Sequence, residues 1–256
     1  AGGEPRFALV SLGLPGDLMV EFVDELYAGL RMQAETFGME IVGGNISRSR
    51  LGLFIDIFLL GEAPRQDILL RSGAHPGDKI LVTGTLGDAA ARVALLLDPK
   101  LNTPEPYAEI ARTRFSLPTP RIREGRLIAQ SHLASSMLDI SDGLASDLGH
   151  ICEKSNVGAR IVADRLPIYT ENRILAQAAH GNEWYFGLYG GEDYELLFTA
   201  PADNADALAE RITRETGTHV SIIGEILSKG AGRQLILDTG FVPLDPQGWD
   251  HFRKQI

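Results

Sequence analysis

The chain switches repeatedly between two hydrophobic periods. RFALVSLGL (6–14) is a short apolar run that ends at the breaker Leu-Pro-Gly-Asp, which predicts a strand. From Asp17 to Gly38 the apolar positions Leu18, Phe22, Leu26, Leu30, Ala34 and Phe37 recur every three or four residues, and Gly38 follows as a stop, so an amphipathic helix is expected. MEIVGG (39–44) and LGLFIDIFLLGE (51–62) predict two strands around a polar turn, NISRSR. Downstream, KILVTG (79–84) reads as a strand, LGDAAARVALLL (86–97) as a helix and TPRIREGRLIAQSHLAS (119–135) as a second helix. MLDIS (137–141) is a short strand feeding the helix DGLASDLGHICEKSN (142–156). Then come a strand GARIVADRL (158–166), a helix ENRILAQAAH (171–180), a strand YELLFTA (194–200), a helix NADALAERITRET (204–216), and the strands HVSIIGEI (219–226) and RQLILD (233–238). Strands and helices in this mixed order predict an α/β (α+β) protein. The Gly, Pro, Asp and Lys of RSGAHPGDK (71–79) mark a domain boundary.

Bulk properties narrow the function classes. A hydrophobic fraction of 44% over 256 residues supplies a sizeable core. The net charge of −10 leaves no basic stripe to release counterions from nucleic acid, so no nucleic-acid partner is expected. Any phosphate must be met by a metal or by local donors. The lone Cys152 excludes an internal disulfide, reads as a buried inert thiol and fits the reducing cytosol. No apolar run approaches the roughly 18 residues of a membrane span, so no membrane role is expected.

The chemistry concentrates in four stretches. In LDISDGLASDL (138–148), Asp139 and Ser141 lie two residues apart on an extended segment and share a side, while Asp142 opens the next helix. Two converging carboxylates suit Mg²⁺, which takes one or two of them together with substrate phosphates. Read alone, Ser141 or Asp142 serves equally well as a helix cap. GGEDYELLF (190–198) sets two glycines and the acids Glu192, Asp193 and Glu195 before a strand, as a ligand loop or as an ordinary acidic turn. IVGGNISRS (41–49) follows a strand with exposed amides and Arg48, a phosphate cradle or a plain hairpin. VTGTLGD (82–88) is a glycine turn before a helix, whose free N–H groups form an anion site, although tight strand-to-helix packing explains it as well. Walker A, G-x-S-x-G, H-E-x-x-H and C-x-x-C patterns are absent. His150 reads as a structural or surface residue, and Trp184 as a core or interface group.

In this order, GGNISRS, RSGAHPGDKILVTGTLGDAA, LDISDGLASDLGHI, GGEDYELLFT and GWDHF resemble the thiamine-monophosphate kinase family of the aminoimidazole-ribonucleotide-synthetase-like superfamily. The resemblance implies the two-domain fold of that superfamily. Residues 1–74 would be the remainder of an N-terminal nucleotide-binding and dimerisation domain, and 75–256 a C-terminal domain with a mixed sheet and flanking helices. It implies Mg²⁺-dependent transfer of the ATP γ-phosphoryl group to thiamine monophosphate by a homodimer. Asp139 and Asp142 would be the catalytic metal ligands, and Ser141 a nucleotide contact. Gly44 and Asn45 would form a nucleotide and metal turn, Arg71 would meet the ATP phosphates, and Glu192 and Trp249 would lie on the thiamine-phosphate side. The family turn reads Gly-Gly-Asp where this chain has Asn45, so weaker metal binding is expected there. The family also carries a preceding segment with further metal and phosphate ligands, so weak or no turnover is expected of the chain by itself. Another ATP-dependent synthetase of the superfamily, or a non-catalytic binding or dimerisation module with a weakened metal site, are the competing readings.

Overall fold

A computed structural model describes residues 1–245 of the chain. It divides into two compact units, Gly3–Gln66 and the rest, with Ala1–Gly2 joining the larger one.

In the smaller unit, β1 (Glu4–Leu14) is the middle strand of three. It pairs in parallel with β2 (Glu40–Arg48), reached through the helix α1 (Val20–Thr36), and antiparallel with β3 (Phe54–Glu62). Period two is plain in β1, where Ala8, Val10 and Leu12 are buried and Phe7 and Leu9 are exposed. The expected turn at NISRSR is displaced. Asn45–Arg48 continue β2, because Ser11–Leu14 of β1 supply the pairing partners. Their polar side chains are tolerated on an edge strand open to solvent.

The larger unit is built on a seven-stranded mixed sheet. Its elements are β4 (Lys79–Thr83), α2 (Asp88–Leu97), α3 (Glu105–Ser116), α4 (Ile122–Ser131), β5 (Ser136–Asp139), α5 (Leu144–Ser155), β6 (Val157–Val162), α6 (Thr170–His180), α7 (Tyr185–Tyr189), β7 (Leu196–Ala200), α8 (Ala202–Thr216), β8 (Val220–Ser228), β9 (Arg233–Leu237) and β10 (Gly240–Pro243). The strand order is β10-β9-β6-β8-β4-β7-β5, antiparallel except for the β6–β9 pair. β4 shows why both faces are covered. Its Ile80 and Val82 pack on one side with Leu144, Leu148 and Ile151 of α5, and its Leu81 packs on the other with Ile128 of α4 and Leu208 and Ile212 of α8. At roughly 25 cal/mol per Å², burial of such side chains is worth about 1.5–3 kcal/mol each, which makes the sheet a rigid base for the loops at its edge strand.

Three sequence expectations shift here. The boundary at 74/75 lies downstream of the structural one, because residues 67–74 belong to the larger unit. Met137 N–H donates to the Leu70 carbonyl (3.0 Å), and the Gly73 and Ala74 amides donate to Ser155 Oγ (3.2 Å each). The helix expected over 119–135 shrinks to α4, since Pro118 and Pro120 exclude its start and His132 ends it in the left-handed conformation (φ 55°). Helix α3 was not anticipated, because its buried stripe is only Tyr107 and Ala111.

Candidate active site

β5, the outer strand of the large sheet, ends at Asp139, and Gly143 caps α5 with φ 106°, a conformation that suits glycine. A Cβ on Gly143 would stand 3.0 Å from the Tyr189 carbonyl. Asp142 therefore precedes the helix instead of opening it. The structural role falls to the third aspartate of the stretch, Asp147, one turn into α5 and 2% exposed. Its Oδ2 accepts the amides of Ser141 (3.0 Å) and Asp142 (3.1 Å). Burial pushes its carboxyl up to about 6; the two amides oppose that shift, and the neighbouring charges of Asp142 and Asp139 add to it. Asp139 is exposed and Asp142 half-buried. Neither side chain has a hydrogen-bond or ion-pair partner among the described residues.

The GGED loop is interlocked with this one. Glu192 N–H donates to the Ser141 carbonyl, Tyr194 N–H to the Ile140 carbonyl and Ile140 N–H to the Glu195 carbonyl, each at 2.8 Å. Gly191 has to be small, for a Cβ would lie 2.7 Å from the Ser141 oxygen. Glu192 (φ 66°) and Tyr194 (φ 51°) both hold the left-handed backbone that L side chains disfavour. Such conformations persist where surrounding contacts over-determine them.

Here the acids sort into two sets. Asp193 turns inward and accepts the Gly87 amide with both oxygens (2.9 and 3.0 Å), and burial drives its carboxyl well above the usual range. Glu195, 3% exposed, takes a bidentate pair from Arg121 (2.7 and 2.6 Å) and the Thr83 hydroxyl (2.6 Å). Thr83 Oγ1 in turn accepts the Leu196 amide (2.8 Å). Glu192 stays exposed with no side-chain partner among the described residues. Asp139, Asp142 and Glu192 are thus available to a ligand, while Asp147, Asp193 and Glu195 anchor the loops that carry them.

This bears on the two readings of VTGTLGD, an anion site or a packed turn. The Gly87 amide at the N-terminus of α2 is already taken by the Asp193 carboxyl group, so this turn holds the GGED loop. The structure brings Asp139, Ser141, Asp142 and Glu192 together. Arg71 is exposed, next to Leu70 on the flank of β5. Gly44 and Asn45 lie on β2 of the smaller unit; Gly44 has φ 152°, and a Cβ there would fall inside the Val10 carbonyl. Trp249 lies outside the described residues. Arg121, Thr83 and Tyr194 escaped sequence reasoning, and the only signal for them was the arginine-rich run TPRIREGR and the tyrosine inside the acidic motif.

Comparison with known proteins agrees with the fold. A family model described as AIR synthase related protein, C-terminal domain, matches residues 75–235, and its N-terminal-domain counterpart matches residues 1–63. Thiamine-monophosphate kinase of Aquifex aeolicus is 36% identical over 252 residues, covering 98% of this chain and 76% of the relative. That of Salmonella typhimurium is 37% identical over 254 residues, covering 98% and 75%. The solved structure of AaThiL complexed with AMPPCP and TMP superposes with a TM-score of 0.81 at 36% identity, covering 98% of this chain and 75% of that one. HypE of Escherichia coli, a hydrogenase maturation protein, shares the fold at 19% identity with a TM-score of 0.80, covering 98% of this chain and 76% of that one. The chain belongs to the thiamine-monophosphate kinase family of AIR synthase related proteins.

Proposed function

We propose that this chain transfers the γ-phosphoryl group of ATP to thiamine monophosphate, giving thiamine diphosphate and ADP, with Mg²⁺ held at Asp139 and Asp142. The reaction is that of its family, and a relative binds AMPPCP, an ATP analogue, together with TMP. The observation that carries the metal assignment is the sorting of the motif acids: Asp139 and Asp142 sit on one braced loop with their side chains unengaged, beside a third free carboxylate, Glu192. Among the described residues no group of three or more His, Cys, Asp or Glu forms a ready cage. Two carboxylates that leave positions for water and phosphate oxygens fit Mg²⁺, which is rarely held by protein ligands alone.

When bound, Mg²⁺ offsets the negative charge on the phosphates. A terminal phosphate oxygen of thiamine monophosphate attacks the γ-phosphorus, the bond from that phosphorus to the β–γ bridging oxygen breaks, and ADP leaves with the electron pair. The acceptor is already anionic, so no general base is needed, and the protein contributes position and electrostatics. Asp147 fixes the Ser141 and Asp142 amides, and the ladder to Glu192, Tyr194 and Glu195 ties the acceptor side to the metal side. We assign Glu192 and Trp249 to thiamine monophosphate, and Ser141, Arg71, Gly44 and Asn45 to the nucleotide, with Asn45 also on the metal. The Mg²⁺ requirement is tested by titration: Asp139→Asn and Asp142→Asn should each raise the Mg²⁺ concentration for half-maximal rate, and an unchanged requirement would remove both from the metal.

We read the smaller unit as the homodimer surface. Its three-stranded sheet exposes Phe54, Ile57, Phe58 and Leu59 of β3 by 43–61%, and an apolar edge of that kind calls for a partner. Light scattering on the purified chain should return twice the 27.8 kDa chain mass. We also read the enzyme as cytosolic, in keeping with its free thiol, Cys152.

A further inference from the structure

Tyr194 is a peculiar residue. A bulky side chain at φ 51° is a backbone outlier, and Tyr194 is 41% exposed, so no core packing explains its placement. The conformation is imposed from both sides. Its amide is tied to the Ile140 carbonyl (2.8 Å), Asp193 before it is fixed to Gly87, and Glu195 after it is clamped by Arg121 and Thr83. What this scaffold presents is a phenol ring on the same interlocked loops as Asp139, Asp142 and Glu192. The Tyr194 N–H is tied to Ile140, between Asp139 and Ser141, and Glu192 two residues before it is tied to Ser141, so the residue rises from the same pair of interlocked loops as all three carboxylates.

We propose that Tyr194 is a specificity-determining residue whose ring face receives the thiazolium cation of thiamine monophosphate. An aromatic face attracts a cation through its quadrupole, and three nearby carboxylates deepen the negative potential above it. The neighbouring acids fit the two ends of the substrate: Asp139 and Asp142 hold the metal that meets its phosphate, and Glu192 lies on the acceptor side. The strain at Tyr194 is then the cost of holding the ring ready for that cation. The inference rests on the proposed function and adds the group that recognises the ring system.

The test is calorimetric titration of thiamine monophosphate, and separately of AMPPCP with Mg²⁺, into the full chain and its Tyr194→Phe, Tyr194→Leu and Tyr194→Gly variants. The phenylalanine variant should bind thiamine monophosphate within about twofold of the parent. The leucine and glycine variants should lose roughly two- to thirty-fold, the factor a cation–π contact contributes. AMPPCP affinity should be unchanged in all three. The glycine variant, freed of the left-handed penalty, should melt no lower than the parent. Thiamine monophosphate affinity retained in the leucine and glycine variants would overturn the proposal and leave the proposed function standing. A phenylalanine variant as weak as the leucine one would assign recognition to the hydroxyl and overturn the ring's role. A parent chain that binds AMPPCP but no thiamine monophosphate would overturn the proposed function and this inference with it.

Discussion

Asp147 gives the sharpest quantitative prediction, because one buried carboxylate braces the loop that carries Asp139 and Asp142. Its carboxyl is raised from 3.8 to about 6, which corresponds to about 3 kcal/mol of preference for the protonated form in the folded state. For a raised carboxyl the sign is fixed. The stabilising preference is fully present below the unfolded value near 3.8 and is lost as pH rises through about 6. Between pH 5 and pH 7.5 the parent should therefore lose about 1.4 kcal/mol at this site that Asp147→Asn does not lose. Urea unfolding of both proteins at the two pH values measures the change directly. Relative to the parent, the asparagine variant should gain about 1.4 kcal/mol on going to pH 7.5. Asp147→Ala should instead be destabilised at both pH values by about 2–4 kcal/mol, since two amides lose their acceptor. A gap between parent and Asn variant that stays constant with pH, or moves the other way, would refute the picture of a desolvated Asp147 held by those amides.

Two further outcomes follow from the same geometry. Arg121→Ala leaves the 3% exposed Glu195 without its bidentate partner, so stability should fall by about 3–5 kcal/mol in chemical denaturation, and by much less in Glu195→Gln combined with Arg121→Ala. Asn45→Asp restores the charge found in the family turn and should lower the Mg²⁺ concentration for half-maximal activity; an unchanged Mg²⁺ dependence would remove Asn45 from the metal site.

What could be read from the sequence depended on the range over which each feature acts. Asp139 and Asp142 stood out because an apolar run and a helical period meet between them, a local signal. Helix α5 and strands β4, β7 and β8 were legible for the same reason, since their buried positions recur with period 3.6 or 2. The interlock between the two acidic loops was hidden, for it is made by backbone groups of residues about fifty apart in the chain. The Arg121–Glu195 pair spans 74 residues and the Asp193–Gly87 contact 106, and charge composition says nothing about either. The glycine turn at 82–88 could be read two ways from sequence, as a ligand site or as packing, because the acceptor that meets its Gly87 amide, Asp193, lies 106 residues away. Likewise Asp147 looked like one more acid in an acidic stretch, and only its burial separates it from Asp139 and Asp142.

The most direct measurement is mass-spectrometric detection of thiamine diphosphate and ADP after the chain is incubated with ATP, Mg²⁺ and thiamine monophosphate, alongside Asp142→Ala. Both products should accumulate together in equal amounts with the parent chain and disappear with the variant, whose other loop anchors remain. Thiamine diphosphate formed equally well by Asp142→Ala, or a parent chain that yields no product and whose melting temperature thiamine monophosphate does not shift, would contradict the account.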